Sequence, residues 1–234
     1  MLNLSLDVDA LAAQYRADQR IRIENVLLEA VAERVRTICS GKTPYEFAYF
    51  QDGGCRSTSA SEMAAFDDST KSRLARELMQ NAARGVGFLY CRYLVRHEAQ
   101  VDDPDLAFLH EVAGFLNSPP MLEFIARVTG RADVSRADAQ YTRYSSGQYL
   151  TRHRDIFDDQ SRRIAYVFGF TRAWHPDWGG LLQFFEDSGE PRDAWAPAFN
   201  RLSLFDVRHV HSVTFVTPFA GGDRYSLTGW FYAD

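Results

Sequence analysis

No apolar run in this 234-residue chain approaches the roughly 18 residues of a membrane-spanning helix, so no membrane span is expected. Cysteine is scarce. Cys39, Cys55 and Cys91 are scattered, odd in number and never in C-x-x-C spacing. That argues against a zinc knuckle or a disulfide framework and suits a reducing, cytoplasmic setting. The opening residues, "MLNLSLDVDALAAQ", lack the basic stretch of a secretory signal. Positive charge is also in deficit: 26 Lys and Arg against 31 Asp and Glu leave a formal net charge of −5, which argues against a nucleic-acid partner. Internal repeats, low-complexity tracts and flexible linkers are missing too, so one domain over residues 1–234 is expected. What the chain has in plenty is core-forming material. At 46% hydrophobic and 14% aromatic, wholesale disorder is excluded.

Two textures divide the chain. Residues 1–135 read as mainly helical support with strands interposed. "RIRIENVL" looks like a short strand and "LLEAVAERVRTI" spaces its apolar residues as an amphipathic helix does. "YEFAYFQDGG" reads as a strand ending in a turn. "DDSTKSRLARELMQNAARG" starts on cap-forming residues and stops at Gly85; "DPDLAFLHEVAGFLN" carries proline in its first turn and "PPMLEFIARVTG" ends on a glycine, Gly130, and all three predict helices. From about residue 136, short aromatic and β-branched runs alternate with Gly, Pro, Asp and Asn: "AQYTRYSSGQYLTRH", "RRIAYVFGF", "GGLLQFFED", "NRLSLFDV", "HSVTFVT", "RYSLTGWFYA". Such spacing predicts a β-sandwich or barrel over residues 136–234, with the helices covering one outer face.

Chemistry concentrates in a few places. In "RHRDIF", His153 and Asp155 sit two apart on an extended stretch and project to one face, with Arg154 turned away. An imidazole beside a carboxylate is half a metal site or a surface ion pair. A second histidine from another strand would decide between them. Six histidines are available. His97 and His110 lie in the helical half and suit polar or capping roles, and His175, in "AWHPDW", belongs to an exposed loop. In "VRHVHSV", His209 and His211 share strand parity, and both remain eligible. Thirteen residues past His211 stands Arg224, followed at strand parity by Ser226. The turn signal "TPFAGGD" between them allows the two flanking runs to pair as antiparallel strands. A guanidinium fork with a hydroxyl beside it suits the distal carboxylate of a dicarboxylic acid.

Taken in order, "HRD", "HSV" and "RYSLTGW" resemble the iron(II)- and 2-oxoglutarate-dependent oxygenases, in particular their prolyl-4-hydroxylase-like branch, from about Tyr141 to Tyr232. The resemblance implies an α+β fold with a mainly β core, a double-stranded β-helix (jelly-roll barrel) supported by helices. It implies His153, Asp155 and His211 as metal ligands, since the family's distal histidine precedes a small residue and valine as in "HSV". It implies Arg224, with Ser226, as the partner of the cosubstrate's 5-carboxylate. Tyr144 matches a tyrosine near the cosubstrate in relatives, and Tyr166 is a second candidate hydroxyl donor. The implied cofactors are Fe(II), 2-oxoglutarate and O2, with ascorbate as a candidate reductant. The implied reaction is a dioxygenase's: decarboxylation of 2-oxoglutarate coupled to hydroxylation of an unactivated C–H. Asp155 stands where halogenating members have a small residue, so hydroxylation is favoured.

One departure is visible. Where some prolyl hydroxylases carry a tyrosine pair, this chain reads "VFGF", and Gly169 is expected to drop a cosubstrate contact and widen the pocket. The substrate expected from the resemblance is a prolyl or similar residue of a protein or peptide, gripped by polar loops around residues 45–63 and 156–163. The alternatives are a free amino acid or small metabolite, clasped by Arg162 and Arg163, and, more remotely, a non-catalytic jelly-roll binding module.

Overall fold

The computed structural model describes residues 1–96, 101–156 and 161–233. His97 and part of the expected 156–163 loop lie outside them. The first half runs α1 (Val8–Asp18), β1 (Arg20–Glu24), α2 (Glu29–Gly41), β2 (Glu46–Gln51), β3 (Gly54–Ser59), α3 (Ala60–Ala65), α4 (Asp68–Ala83), β4 (Phe88–Leu94), α5 (Pro104–Phe115) and α6 (Pro119–Thr129). The second half is strand after strand: β5 (Val134–Ala137), β6 (Gln140–Tyr144), β7 (Tyr149–His153), β8 (Arg162–Phe170), β9 (Leu182–Phe185), β10 (Pro191–Trp195), β11 (Phe199–Asp206), β12 (Val210–Val213) and β13 (Arg224–Ala233).

The helix ends obey their local signals. Asp67 accepts from Thr70 N to cap α4, and Asp103 accepts from Asp105 N and Leu106 N ahead of Pro104 in α5. Helix α6 stops where Gly130 enters the left-handed region at φ 72°. All strands join one curled antiparallel sheet in the order β1-β11-β8-β13-β6-β4-β7-β12-β9-β10, with β2, β3 and β5 attached at its sides. Along β8, the even residues Ile164, Tyr166, Phe168 and Phe170 enter the large core shared with α2, α5 and α6. The odd residues Ala165 and Val167 face the other way, toward Phe184, Phe205 and Trp230 inside the barrel. Both faces of β8 are therefore buried, one under helices and one in the barrel.

Three expectations change. The first half is more than helical support: β1 pairs with β11, and β4 lies between β6 and β7. Residues 45–63 are an ordered hairpin, β2–β3, turning through the left-handed residues Asp52 and Gly53, followed by the short helix α3. And β12 does not pair with β13. β12 bonds to β7 and β9, β13 to β5, β6 and β8. The "TPFAGGD" turn carries the chain across the barrel instead of folding it back as a hairpin, because β6, β4 and β7 stand between the two strands.

Candidate active site

Antiparallel pairing of β12 with β7 sets His211 opposite His153, their ring centroids 4.3 Å apart. Asp155, two residues beyond His153, turns its carboxylate toward both. Its oxygens stand 3.5 Å from His153 Nε2 and 3.4 Å from His211 Nε2. The three ligand atoms lie within 4.8 Å of one another, and among the described residues no other group of histidine, cysteine and carboxylate converges in this way. Arg154 points out and pairs with Asp187 at 2.7 Å.

Both histidines are oriented from behind. Nδ1 of His153 lies 2.9 Å from Thr151 O, and Nδ1 of His211 lies 3.0 Å from His209 O. A carbonyl only accepts, so each Nδ1 carries the proton and each Nε2 presents its lone pair to the common point. Burial pushes the His211 imidazole down to about 4, keeping it neutral and ready to ligate. Burial would likewise lower His153, but its hydrogen bond and charge interaction with Asp155 raise it. For Asp155, burial pushes the carboxyl up, and its contacts with His153 and His211 more than offset this, holding it below the usual range. The result is two imidazole nitrogens and one carboxylate facing one side of an open space, a donor set suited to non-haem Fe(II).

That open space is a cavity of about 700 Å³ reaching from the triad to β2 and β4. On its wall β13 contributes alternate residues: Arg224, Ser226, Thr228 and Trp230. Arg224 is buried at 5% exposure, and no carboxylate pairs with it among the described residues. Its Nη1 donates to Gly180 O, and its guanidinium lies 5.4 Å from the Tyr144 ring centroid. Burial lowers its pKa, a sign that the site is short of an anion. A buried unpaired cation is expensive unless a ligand carboxylate completes it. Beside it, Ser226 Oγ meets Thr142 Oγ1 at 3.1 Å, and Tyr144 stacks on Tyr90 with centroids 5.2 Å apart.

Tyr166 borders the cavity but turns its ring away from Arg224, Ser226 and Tyr144. It faces the helix-covered core with Phe168 and Phe231, and its hydroxyl donates to Asp138 O at 2.6 Å. Strand parity decides this, since Ala165 and Val167 face inward. Gly169 does not widen the cavity either. A Cβ there would sit 2.2 Å from Ala198 O, so the space a side chain would fill is already taken by backbone. His209 stays outside the triad, its Nε2 3.1 Å from Asp18 O. His110 bonds the Tyr93 hydroxyl at 2.9 Å, and His175 is exposed, accepting from Asp177 N. The sequence reading missed Trp230. Its indole lies close to Asp155 and helps to hold that carboxyl low, while the Arg162 guanidinium lies 3.6 Å from its ring centroid. The signal was there in the alternation Arg224, Ser226, Thr228, Trp230.

Comparison with known proteins agrees with this geometry. Residues 139–232 match the family model described as the 2OG-Fe(II) oxygenase superfamily. A murine relative, "Prolyl 3-hydroxylase OGFOD1" from Mus musculus, is 28% identical over 116 residues, which is 47% of this chain but only 21% of that protein. The chain thus spans about a fifth of that relative's length. Among solved structures, a Pseudomonas putida prolyl-4-hydroxylase superposes with a TM-score of 0.59 at 17% identity, covering 97% of this chain and 99% of the other. A Trichoplax adhaerens prolyl hydroxylase, in complex with a hypoxia inducible factor oxygen degradation domain peptide fragment, gives 0.61 at 18% identity, covering 97% and 89%. At these identities the two structures establish a shared fold.

Proposed function

From the premise that residues 139–232 are a domain of the 2OG-Fe(II) oxygenase superfamily, we propose that this chain is a dioxygenase that hydroxylates an unactivated C–H, most naturally of a prolyl or similar residue in a protein or peptide. The observation that carries the reading is one cavity holding both a His153–Asp155–His211 donor set and a buried Arg224 without a carboxylate partner among the described residues. His153, Asp155 and His211 would hold Fe(II). When bound, the metal and 2-oxoglutarate would activate dioxygen, the oxidant: one of its oxygen atoms would enter the product as hydroxyl and the other succinate, with release of carbon dioxide.

The chain's own residues orient and enclose. Arg224 receives the distal carboxylate of 2-oxoglutarate bidentately, with Ser226 and Tyr144 beside it as hydroxyl donors. Leu150, Val213 and Phe205 on the cavity wall exclude water, which strengthens each of these contacts. Ascorbate is the reductant to supply in assays. The peptide part of the reading rests on the prolyl-hydroxylase relatives and on cavity walls extending to Phe50, Val86 and Leu94, more surface than a free amino acid would cover. Cytoplasmic residence belongs to the same reading, supported by three unpaired cysteines.

The test is to load the protein with Fe(II) and 2-oxoglutarate without oxygen, admit air, and follow succinate together with one-oxygen mass gains in a peptide library and a panel of free amino acids. Coupled turnover of a free amino acid with none on any peptide would overturn the peptide assignment. An absence of 2-oxoglutarate turnover under all conditions would overturn the enzyme.

A further inference from the structure

The cavity wall carries a second guanidinium, Arg92, that a single bound 2-oxoglutarate leaves unanswered. On β4, Tyr90, Arg92 and Leu94 line the cavity at every second residue, as Gln140, Thr142 and Tyr144 do on β6. Strand register sets Arg92 level with Thr142, and Thr142 level with Ser226. Arg92 therefore stands two strands from the strand that bears Arg224, about 10 Å away at roughly 4.8 Å per strand. A dicarboxylate held by the metal at one end and by Arg224 at the other has no group left for it.

Among the described residues, Arg92 also has no acid partner. Its Nη2 donates to Ser57 Oγ at 2.8 Å, while its Nε is buried without a partner among the described residues. Glu46, its register neighbour on β2, makes no ion pair with it among the described residues. Around it the donors converge: the Tyr90 hydroxyl lies beside both Arg92 and Gln140. Other cations on the wall are already engaged. Arg154 pairs with Asp187, and Arg152 stacks over Phe185 while donating to Gly189 O. The described carboxylates of the wall would not repel an incoming acid. Asp155 belongs to the metal triad, and Asp138 accepts from Trp230 N and the Tyr232 hydroxyl.

We propose that Arg92, with Tyr90 and Gln140, binds a carboxylate of the substrate, so that this enzyme selects peptides carrying Asp or Glu within a few residues of the hydroxylated position. The inference rests on the peptide reading above and adds the chemistry by which the peptide is chosen. A guanidinium fork with flanking neutral donors distinguishes a carboxylate from its amide isostere, because the amide brings N–H groups where only acceptors fit. Leu94 and Val86, both exposed at the cavity mouth, give apolar contact for the residues between.

The experiment is an anaerobic affinity selection. The full chain, loaded with Fe(II) and 2-oxoglutarate, is presented with a proline-centred peptide library whose flanking positions carry Asp, Glu, Asn or Gln. The selection is repeated with Arg92→Gln and Arg92→Lys, and 2-oxoglutarate affinity is measured calorimetrically for each. Enrichment of Asp or Glu over the amides in the wild type is expected, with about tenfold or greater loss for Arg92→Gln. Partial retention in Arg92→Lys and unchanged 2-oxoglutarate affinity in both variants complete the expected result. No acidic enrichment, or enrichment that survives Arg92→Gln, overturns the proposal. So does an equal weakening of 2-oxoglutarate, which would assign the guanidinium to the cosubstrate. Admitting oxygen afterwards tests the other reading separately: acidic peptides that are retained through Arg92 but gain no oxygen would sink peptide hydroxylation and leave the binding assignment standing.

Discussion

Replacing Arg224 with methionine separates the cosubstrate's interests from those of the fold. Methionine keeps most of the apolar stem and removes the charge. In the protein without ligands, two effects oppose each other. Deleting a buried cation that has no carboxylate partner among the described residues relieves a desolvation penalty of several kcal/mol. Leaving Gly180 O without its donor costs about 1–3 kcal/mol, and the Tyr144 contact at 5.4 Å contributes about 1 kcal/mol more. The variant should therefore unfold at the wild-type temperature or above it. For 2-oxoglutarate the effects all point one way. Removing one partner of a buried charge pair costs about 2–5 kcal/mol, so its Kd should rise about 30-fold to several-thousand-fold. Calorimetric titration of the Fe(II)-loaded protein without oxygen measures this. Titrating 2-oxopentanoate, which lacks the distal carboxylate, adds the control: the wild type should strongly prefer 2-oxoglutarate, and Arg224→Met should barely distinguish the two. A wild-type preference surviving in Arg224→Met would refute the assignment, and a large fall in melting temperature would show that the guanidinium is mainly structural.

Three further outcomes are expected. Substituting His153, Asp155 or His211 with alanine should each abolish stoichiometric Fe(II) binding in equilibrium dialysis, whereas His209→Ala should retain it, since the His209 ring faces Asp18 O and its backbone carbonyl, which orients His211, survives the substitution. Gly169→Ala should lower stability by about 1–3 kcal/mol in denaturant titration, because its Cβ would meet Ala198 O at 2.2 Å, while Tyr166→Phe should cost about 1 kcal/mol and leave the 2-oxoglutarate KM unchanged. Asp206 is pushed up by burial but held below the ordinary range by Arg208 and Arg131; a depressed carboxyl stabilises above its unfolded pKa near 4 and loses that contribution as pH falls further, so Asp206→Asn should flatten the acid side of the stability profile below about pH 4.

The sequence by itself determined the helix ends at Asp67, Asp103 and Gly130, the change of texture near residue 136, and the residues His153, Asp155, His211 and Arg224 that meet around the cavity. These are local matters: caps, periodicity and side-chain chemistry act within a few residues, and the ordered resemblance supplied the ligand set. Tertiary structure alone decided three things. It put β1 and β4 into the sheet, because strand pairing depends on partners far away in sequence, such as β11 and β6. It separated β12 from β13, since the turn between them reads equally well as a hairpin or as a crossing between layers. And it chose the face of β8. Alternation states that Tyr166 and Phe168 look the same way, but with both faces buried in apolar surroundings nothing local marks which one is the barrel interior. Helix packing on one side settles that question, which is why Tyr166 bonds Asp138 O beneath the helices while Trp230, on the neighbouring strand, looks toward Asp155.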